Sequence, residues 1–234
     1  MKHIRIEKDF WTLFPEARIA VVCLKGIRNA GTHPGIEEDL RSANGKAVQY
    51  LGKEVFSENP AVAVWRDAYR QFKTKKGVRS SIENLLKRVE KGNPVGAIDP
   101  LVDLYNTISL EYGLPCGGED IDTLQGDLLL TLASGGESFL ALGDEAEDPA
   151  LPGEVVYKDD LGIVCRCWNW RDGIRTMLTE QTSHALLVME SVDPGRHGAL
   201  AEAAQQLAER AVRHLGGESR RAVLDPDNSV FPLL

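Results

Sequence analysis

The sequence is poor in residues that would identify a function directly. It has only four cysteines in 234 residues, at positions 23, 116, 165 and 167, which are too few for a disulfide framework. The Cys165-x-Cys167 pair matches no common zinc spacing, and the five histidines are never spaced as in a metal site. We therefore expect reduced, partly buried thiols and no metal or other cofactor.

Segments that would direct the chain to a membrane are also lacking. The first fifteen residues, MKHIRIEKDFWTLFP, contain no apolar core of signal-peptide length. No stretch approaches the ~20 apolar residues that a membrane-spanning helix needs. From these absences we expect a cytoplasmic protein with no membrane partner.

The common nucleotide-binding and hydrolase motifs are missing as well. There is no G-x-G-x-x-G after a strand and no G-x-x-x-x-G-K-[ST], so a phosphate-binding loop is unsupported. There is also no G-x-S-x-G nucleophile elbow, and no spacing proposes a cysteine–histidine nucleophilic pair. Metal-dependent and covalent mechanisms both lose support.

What is present is an ordinary globular composition, with 43% apolar and 26% charged residues. A chain of this length buries enough surface to fold without disulfides. No repeat or linker interrupts it, so we predict a single domain over residues 1–234. The net charge of -8, from 27 cationic and 35 acidic side chains, argues against a general nucleic-acid coat protein and leaves no expectation of DNA binding.

The charge is unevenly distributed. Between Arg66 and Lys91 there are nine cationic and three acidic side chains, which gives this stretch a charge of +6 and the remainder -14. One end of the molecule could therefore face a polyanion while the rest repels it, which would orient a partner. The alternative is a solvated helix end and turn.

Spacing and capping residues predict four helices. The first begins at Pro60 and continues to Gly77, the second begins at Ser80 or Ser81 and ends at Gly92, and the third runs from the Asp99-Pro100 pair to Gly113. An alanine-rich helix is expected over residues 198–215.

Apolar runs ended by glycine or aspartate predict the strands. They cover residues 18–26, 128–133, 137–143, 153–159, 162–170 and 184–192. The later strands have the short turns of an antiparallel meander. The order of elements predicts an α+β fold in which sheets share a core with helices on one side.

Several polar residues lie where apolar ones would be expected. Asp103 and Asn106 share one side of the third predicted helix with Val102 and Leu110. Because both sides of that helix carry apolar residues, these two polar groups are expected to be semi-buried and to need partners. They form either a pocket wall, or a solvated face or buried structural hydrogen bond.

Two later segments offer further candidates. Gly117 and Gly118, in the loop over residues 114–120, let the backbone approach a ligand and expose amide groups, although a plain tight turn explains them equally well. Glu154 begins a strand after an acidic loop and could hold an ammonium group. A simply solvated glutamate is the alternative.

The strand over residues 162–170 has an unusual pattern. Ile163, Cys165 and Cys167 suit a core face, which leaves Arg166 and Trp168 on the other face. A tryptophan beside an arginine suits stacking on a ring and holding an anion, with the polar residues Asn169, Arg171 and Asp172 at the strand end. Alternatively, the tryptophan is a core residue and the last two charged residues form a surface pair.

Three motifs, in the same order along the chain, resemble the B3/B4 editing module of the phenylalanyl-tRNA synthetase β subunit. The chain as a whole resembles a free-standing form of that module. The three motifs are NLL at residues 84–86, DPLVDLYN at 99–106 and LPCGGED at 114–120. GEVVY at 153–157 and RCWNWRD at 166–172 are similar to the free-standing members. The resemblance extends from about Arg79 to Val192 and implies a layered β-sandwich-like core with helices packed on it.

The resemblance also implies a function. The synthetase module hydrolyses amino acids wrongly attached to tRNA, and some stand-alone relatives are thought to do so in trans. The chain is thus expected to be a trans-editing aminoacyl-tRNA deacylase whose partner is mischarged tRNA. This sequence has Gly117 where the synthetase loop usually carries a histidine, so a mechanism that relies on that histidine does not transfer.

An aminoacyl ester is activated, so its hydrolysis needs mostly a positioned water and a stabilised oxyanion. The expected catalytic residues are Asn106 to orient water or substrate, the amides of Gly117 and Gly118 as oxyanion donors, and Glu154 to hold the α-ammonium or a polar side chain. Expected substrate contacts are Asp103, Arg166, Trp168, Asn169 and Arg171; expected tRNA contacts are Lys73, Lys75, Lys76 and Arg79. Two alternatives stay open: a non-catalytic tRNA- or RNA-binding module, and a protein that binds a free amino acid or small metabolite.

Overall fold

Two β-sheets form the centre of the protein. The computed structural model describes residues 1–233. The first sheet contains β1 (His3–Ile6), β4 (Leu128–Leu132), β5 (Val155–Asp159), β6 (Gly162–Arg166), β7 (Arg171–Asp172) and β10 (Val230–Pro232), in the order β10-β1-β4-β5-β6-β7. The second contains β2 (Arg18–Lys25), β3 (Cys116–Asp120), β8 (His184–Ser191) and β9 (Glu218–Leu224), in the order β3-β8-β2-β9. All neighbouring strands are antiparallel except β1 and β4.

The described residues also form six α-helices. They are α1 (Lys8–Leu13), α2 (Pro34–Lys46), α3 (Pro60–Ala68), α4 (Ser81–Glu90), α5 (Pro100–Tyr112) and α6 (His197–Leu215). Helices α5 and α6 cover the face of the four-stranded sheet that points away from the other sheet, and α2 packs against α5. Helices α1, α3 and α4 contribute to the core between the sheets. No helix within residues 1–233 has the length and apolarity that a bilayer crossing requires.

The core has layers that follow from strand alternation. Residues such as Leu130 and Val155 of the six-stranded sheet meet Val21, Leu186 and Val188 of the four-stranded sheet in one apolar cluster. Alternate residues of the four-stranded sheet, such as Leu187, join the helices in a second cluster. Burial of these side chains supplies most of the stabilisation of the fold, at roughly 25 cal/mol per Å² of apolar surface.

The predicted α+β sandwich with helices packed on it is confirmed. The α5 boundaries follow from the sequence, because the Asp99 carboxylate accepts hydrogen bonds from the amides of Leu101 and Val102 at 3.1 and 3.0 Å, and Gly113 ends the helix with a φ of 60°. The Ser80 hydroxyl caps α4 by accepting from the Glu83 amide at 3.3 Å.

Other boundaries differ from the prediction. The helix that begins at Pro60 ends at Ala68, and the chain then runs to the six-stranded sheet, where the Lys73 amide donates to the Gly153 carbonyl at 3.2 Å. Residues 137–143 are not a strand and pair only through a bridge between Ala141 and Gly173. The meander comprises β4 to β7, whereas β8 joins the other sheet.

Two segments have a different conformation from the one that their sequence suggests. Residues 116–120, expected as a loop, form the edge strand β3 and pair with β8. The strand that begins at Gly162 ends at Arg166, because Cys167 and Trp168 have φ values of 44° and 67°. Left-handed backbone at two successive non-glycine residues is costly, and here it turns the chain into the space between the sheets.

Candidate functional site

A small pocket lies between the two sheets, at the end where β3 begins and β8 finishes. Its volume is about 60 Å³, which is room for a few waters or a small chemical group. We call it the inter-sheet pocket. It is lined by Ser81, Cys116, Gly117, Gly118, Glu119, Leu128, Tyr157, Cys165, Trp168, Asn169, Trp170, Asp172, Val188 and Glu190.

Three carboxyl groups meet at this pocket, from Glu119 on β3, Asp172 on β7 and Glu190 on β8. Glu190 has the same orientation as Val188, which lies in the core between the sheets. The Tyr157 hydroxyl donates to Glu190 Oε1 at 2.8 Å, and Asn169 Nδ2 donates to Oε2 at 3.1 Å. The sequence thus places an acidic network inside an otherwise apolar sandwich.

Two further hydrogen bonds hold the Asn169 side chain of this network in place. Asn169 Oδ1 accepts from the Tyr69 hydroxyl at 2.9 Å and from the Ser81 amide at 3.3 Å. These two bonds fix the amide orientation, so that Nδ2 points at Glu190.

Desolvation dominates the electrostatics of the three acids. It raises the pKa of Glu190 to about 8 and the pKa of Glu119 well above its usual range, with the Asp172 charge adding to the second effect. The pKa of Asp172 is also raised by desolvation. Within residues 1–233 none of the three forms a salt bridge. The pocket is therefore an acidic site whose carboxyl groups favour the neutral form and have no salt-bridge partner in the described chain.

The pocket also collects buried polar atoms that have no hydrogen-bond partner. Five such side-chain atoms occur in the described part of the chain, and three of them belong to pocket residues: Ser81 Oγ, Glu119 Oε2 and Trp168 Nε1. A buried polar group without a partner costs about 1–3 kcal/mol. Their concentration at one cavity indicates a place where a polar ligand or ordered water completes the bonding.

The two predicted glycines play different parts. A Cβ built on Gly117 meets no atom within 4 Å, whereas one on Gly118 would lie 2.7 Å from Leu187 and 2.9 Å from Leu178. Gly117 thus borders open space and Gly118 packs against the second core. The Asp120 amide points to the free edge of β3, where it donates to the Thr176 carbonyl at 2.8 Å. Because amide directions alternate along a strand, the Gly118 amide points to the same free edge, and the Gly117 amide points to β8.

Trp168 is a core residue and not part of an open face. It is fully buried, and its ring centroid lies 4.9 Å from Phe10, 4.8 Å from Phe14 and 5.0 Å from Trp65. The expected face shared by Arg166 and Trp168 does not form, because the left-handed turn at residues 167–168 breaks the strand alternation. The same turn delivers Asn169 to the pocket.

Glu154 and Arg166 form a buried ion pair instead of a substrate contact. The guanidinium donates to the Glu154 carboxylate at 2.6 and 3.0 Å, and to Asp148 Oδ2 at 2.7 Å. Neither residue lines the inter-sheet pocket. Arg166 lies near the Phe139 ring, under the loop that covers the outer face of the six-stranded sheet. Glu154 is thus fully buried, not solvated at a strand end.

The other predicted contacts are dispersed. Asp103 and Asn106 are buried on α5 but do not line the pocket. Asp103 Oδ1 accepts from the Ile98 amide at 2.8 Å, and desolvation raises its pKa. Arg171 pairs with Asp144 at 2.9 Å, beside the pocket residue Trp170.

The predicted tRNA contacts divide into two kinds. Lys75 pairs with Asp148, and Arg79 lies 3.5 Å from Glu83. Lys73 and Lys76 are exposed and form no salt bridge within residues 1–233. Part of the cationic stretch is therefore neutralised internally, and among the four predicted tRNA contacts these two lysines are the ones available to a polyanion.

Sequence reasoning missed three pocket residues as site candidates, Ser81, Glu119 and Glu190, and named Asp172 only as a polar residue at the end of a strand. Glu190 carried a signal, because it is the one charged residue in the apolar run over residues 185–192. A strand that is buried on both faces has no solvated position for such a group. In the described chain, no cluster of three His, Cys, Asp or Glu side chains could hold a metal ion.

Comparison with known proteins agrees with the motifs. The family model described as the B3/4 domain matches residues 64–219. No curated protein matches the sequence. The fold is similar to the crystal structure of an N-terminal fragment of the phenylalanyl-tRNA synthetase β subunit from Pyrococcus horikoshii, with a TM-score of 0.50 and 12% identity over 93% of this chain. The chain spans 50% of that fragment.

Replacing Glu190 with glutamine should reduce the pH dependence of stability. The pKa of this carboxyl group is 4.5 in the unfolded chain and about 8 in the folded protein. Its contribution to stability is therefore fully present below pH 4.5 and is lost as the pH rises to about 8. The slope for one proton is about 1.4 kcal/mol per pH unit. Urea unfolding from pH 5 to 8 should show a shallower decline for Glu190→Gln than for the exposed control Glu145→Gln; equal slopes would contradict the assignment.

Glu154→Gln should lower the free energy of unfolding by about 3 kcal/mol, because it leaves the buried Arg166 guanidinium with only the partly exposed Asp148 as an acidic partner. Urea unfolding at pH 7 measures this. Glu145→Gln, an exposed change in the neighbouring loop, should stay within about 0.5 kcal/mol of the parent protein. A Glu154→Gln variant as stable as that control would show that the Arg166 charge is satisfied without Glu154.

Proposed function

The chain belongs to the B3/4 domain family, and we propose that it is a free-standing deacylase that hydrolyses the ester of mischarged aminoacyl-tRNA. The inter-sheet pocket is the proposed active site. The observation that carries the proposal is the set of three desolvated carboxyl groups that form no salt bridge in the described chain, which suits the α-ammonium group of an aminoacyl ester.

The acidic groups of the pocket favour a substrate group with a positive charge. Burying several acidic groups together is unfavourable unless they stay protonated or meet a positive charge. An ammonium group supplies that charge and three hydrogen-bond donors. Glu190 and Asp172 would hold it, and the unpartnered Ser81 hydroxyl would take a further polar group of the substrate.

Seating the ammonium group would also prepare the catalytic base. A nearby positive charge lowers the pKa of a carboxyl group, so substrate binding favours the ionised form of Glu119. Its Oε2 has no partner with full hydrogen-bond geometry in the described chain, although the nearby Thr176 side chain lowers the pKa of Glu119, and this oxygen would accept a proton from a bound water. A general base of this kind is typically worth 10²–10⁴-fold in rate.

The reaction then needs few groups. The water oxygen attacks the ester carbonyl carbon while its proton passes to Glu119, the Gly118 amide stabilises the oxyanion, and the proton returns to the departing ribose oxygen. Gly117 leaves space for the ester beside the strand, since nothing lies within 4 Å of its Cβ position. In this proposal Glu119 and Glu190 replace Asn106 and Glu154, neither of which lines the pocket.

Binding of a free amino acid without turnover is the second candidate function. The same ammonium site favours it, and the pocket volume of about 60 Å³ admits a small side chain. The two candidates differ in whether an ester bond is broken and in whether tRNA contributes to affinity.

Glu119→Gln should slow deacylation by at least about a hundredfold, because the amide cannot accept the water proton. The measurement is release of radiolabelled amino acid from a panel of mischarged tRNAs, with Glu145→Gln as the exposed control expected to match the parent protein. If the parent protein hydrolyses no tRNA in the panel but binds a free amino acid saturably, the second candidate function is favoured. A Glu119→Gln variant as fast as the parent would remove Glu119 as the base.

The double change Lys73→Glu and Lys76→Glu should weaken tRNA binding while leaving hydrolysis of a small aminoacyl ester intact. Each phosphate contact that is lost also lowers the salt dependence of binding, by roughly 0.7–0.9 in the slope of log affinity against log salt. Filter binding at several salt concentrations measures both effects. Arg213→Glu, an exposed change on α6, is the control. Equal affinities for both variants would give the cationic stretch no part in recognition.

A further inference from the structure

A second and larger cavity lies at the side of the sandwich, and we call it the lateral cleft. It is formed by the segment from Gln49 to Lys53, the start of α3, the Gly113-Leu114 pair and the residues that follow β8. Its volume of about 360 Å³ is within the range of small-molecule sites. Trp65 lines the cleft and packs against Trp168 of the inter-sheet pocket, with ring centroids 5.0 Å apart.

Two cationic side chains line the lateral cleft without acidic partners. Lys53 and Arg196 form no salt bridge within residues 1–233, although the protein carries a net charge of -8. The single carboxylate on the lining, Asp193, accepts a hydrogen bond from the Gly195 amide at 2.9 Å. The cleft is therefore locally cationic on an acidic protein.

Arg196 is held in place. Its guanidinium donates to the Tyr112 carbonyl and lies 5.9 Å from the centre of the Tyr50 ring. One bond to a carbonyl leaves most of the five guanidinium donors free. Lys53 is exposed, and its side chain makes no hydrogen bond in the described chain, so its ammonium group can turn toward the same ligand.

The rest of the wall is largely apolar. Ala61, Val64, Trp65, Leu114 and Val192 contribute to it. A ligand that uses the whole cleft therefore combines an anionic end with an apolar or aromatic body. A phosphate monoester matches two cations better than a carboxylate does, because its second ionisation places close to two charges on one group.

We propose that the lateral cleft binds an organic phosphate of nucleotide size. The phosphate contacts Lys53 and Arg196, and the nucleoside lies against the apolar wall formed by α3 and Val192. This site is separate from the inter-sheet pocket and does not depend on deacylase activity, so either assignment can fail without the other.

Isothermal titration calorimetry with adenosine 5′-monophosphate tests the proposal. We expect saturable binding to the full chain and a loss of about tenfold in affinity for Lys53→Ala, since one charge-assisted hydrogen bond is removed. Lys8→Ala, an exposed lysine on α1, should leave affinity unchanged. Arg196→Ala should weaken binding further, and its melting curve would report any loss of the Tyr112 contact; Lys53→Ala breaks no contact of the fold.

Two further titrations separate the parts of the ligand. Adenosine alone and inorganic phosphate alone should each bind at least tenfold more weakly than the nucleotide. Adenosine that binds as tightly as the nucleotide would overturn the role of the cations, and phosphate that does so would overturn the role of the apolar wall. Absence of saturable nucleotide binding, or equal affinity for the parent and Lys53→Ala, would overturn the proposal as a whole.

Discussion

Three carboxyl groups between two apolar sheets, of which Glu119 and Glu190 are buried and Asp172 is partly exposed, determine the properties of the site. Each acid loses hydration, and this desolvation holds their pKa values high, although the charge of Arg175 offsets part of the effect at Glu119. The cost is offset by Tyr157 and Asn169, which donate to Glu190, and by the large apolar core around them. A bound cationic ligand would offset the same desolvation cost, so ligand binding would also stabilise the fold.

The backbone makes this arrangement possible at two points. The left-handed pair Cys167-Trp168 places an indole in the core and directs Asn169 at Glu190. The edge strand β3 contributes Glu119 and two glycines, of which Gly117 keeps the pocket open. On the other side of the six-stranded sheet, the ion pair between Glu154 and Arg166 holds the covering loop and leaves the pocket undisturbed.

The sequence predicts those parts of the fold that depend on local signals. The start and end of α5 follow from Asp99, Pro100 and Gly113, and the apolar runs locate β2, β4 and β8. It does not predict β3, because glycines resemble a turn until pairing with β8 defines a strand. The face predicted for Trp168 from strand alternation is also wrong, because no local sequence signal predicts two successive residues with left-handed backbone. Family motifs at residues 114–120, 153–157 and 166–172 contribute residues to the lining of the pocket, but the pairing of distant segments decides which acids line it.

The protonation state of Glu190 with and without ligand is the most direct test of the proposed ammonium site. Carbon-13 NMR of labelled glutamate, assigned by comparison with Glu190→Gln, can follow this carboxyl group through a pH titration. We expect a pKa of about 8 for Glu190 in the free protein, and a clear decrease when a non-hydrolysable aminoacyl-adenosine analogue with a free ammonium group is bound. A pKa of about 4 in the free protein, or one that does not change with the analogue, would contradict the proposed ammonium site.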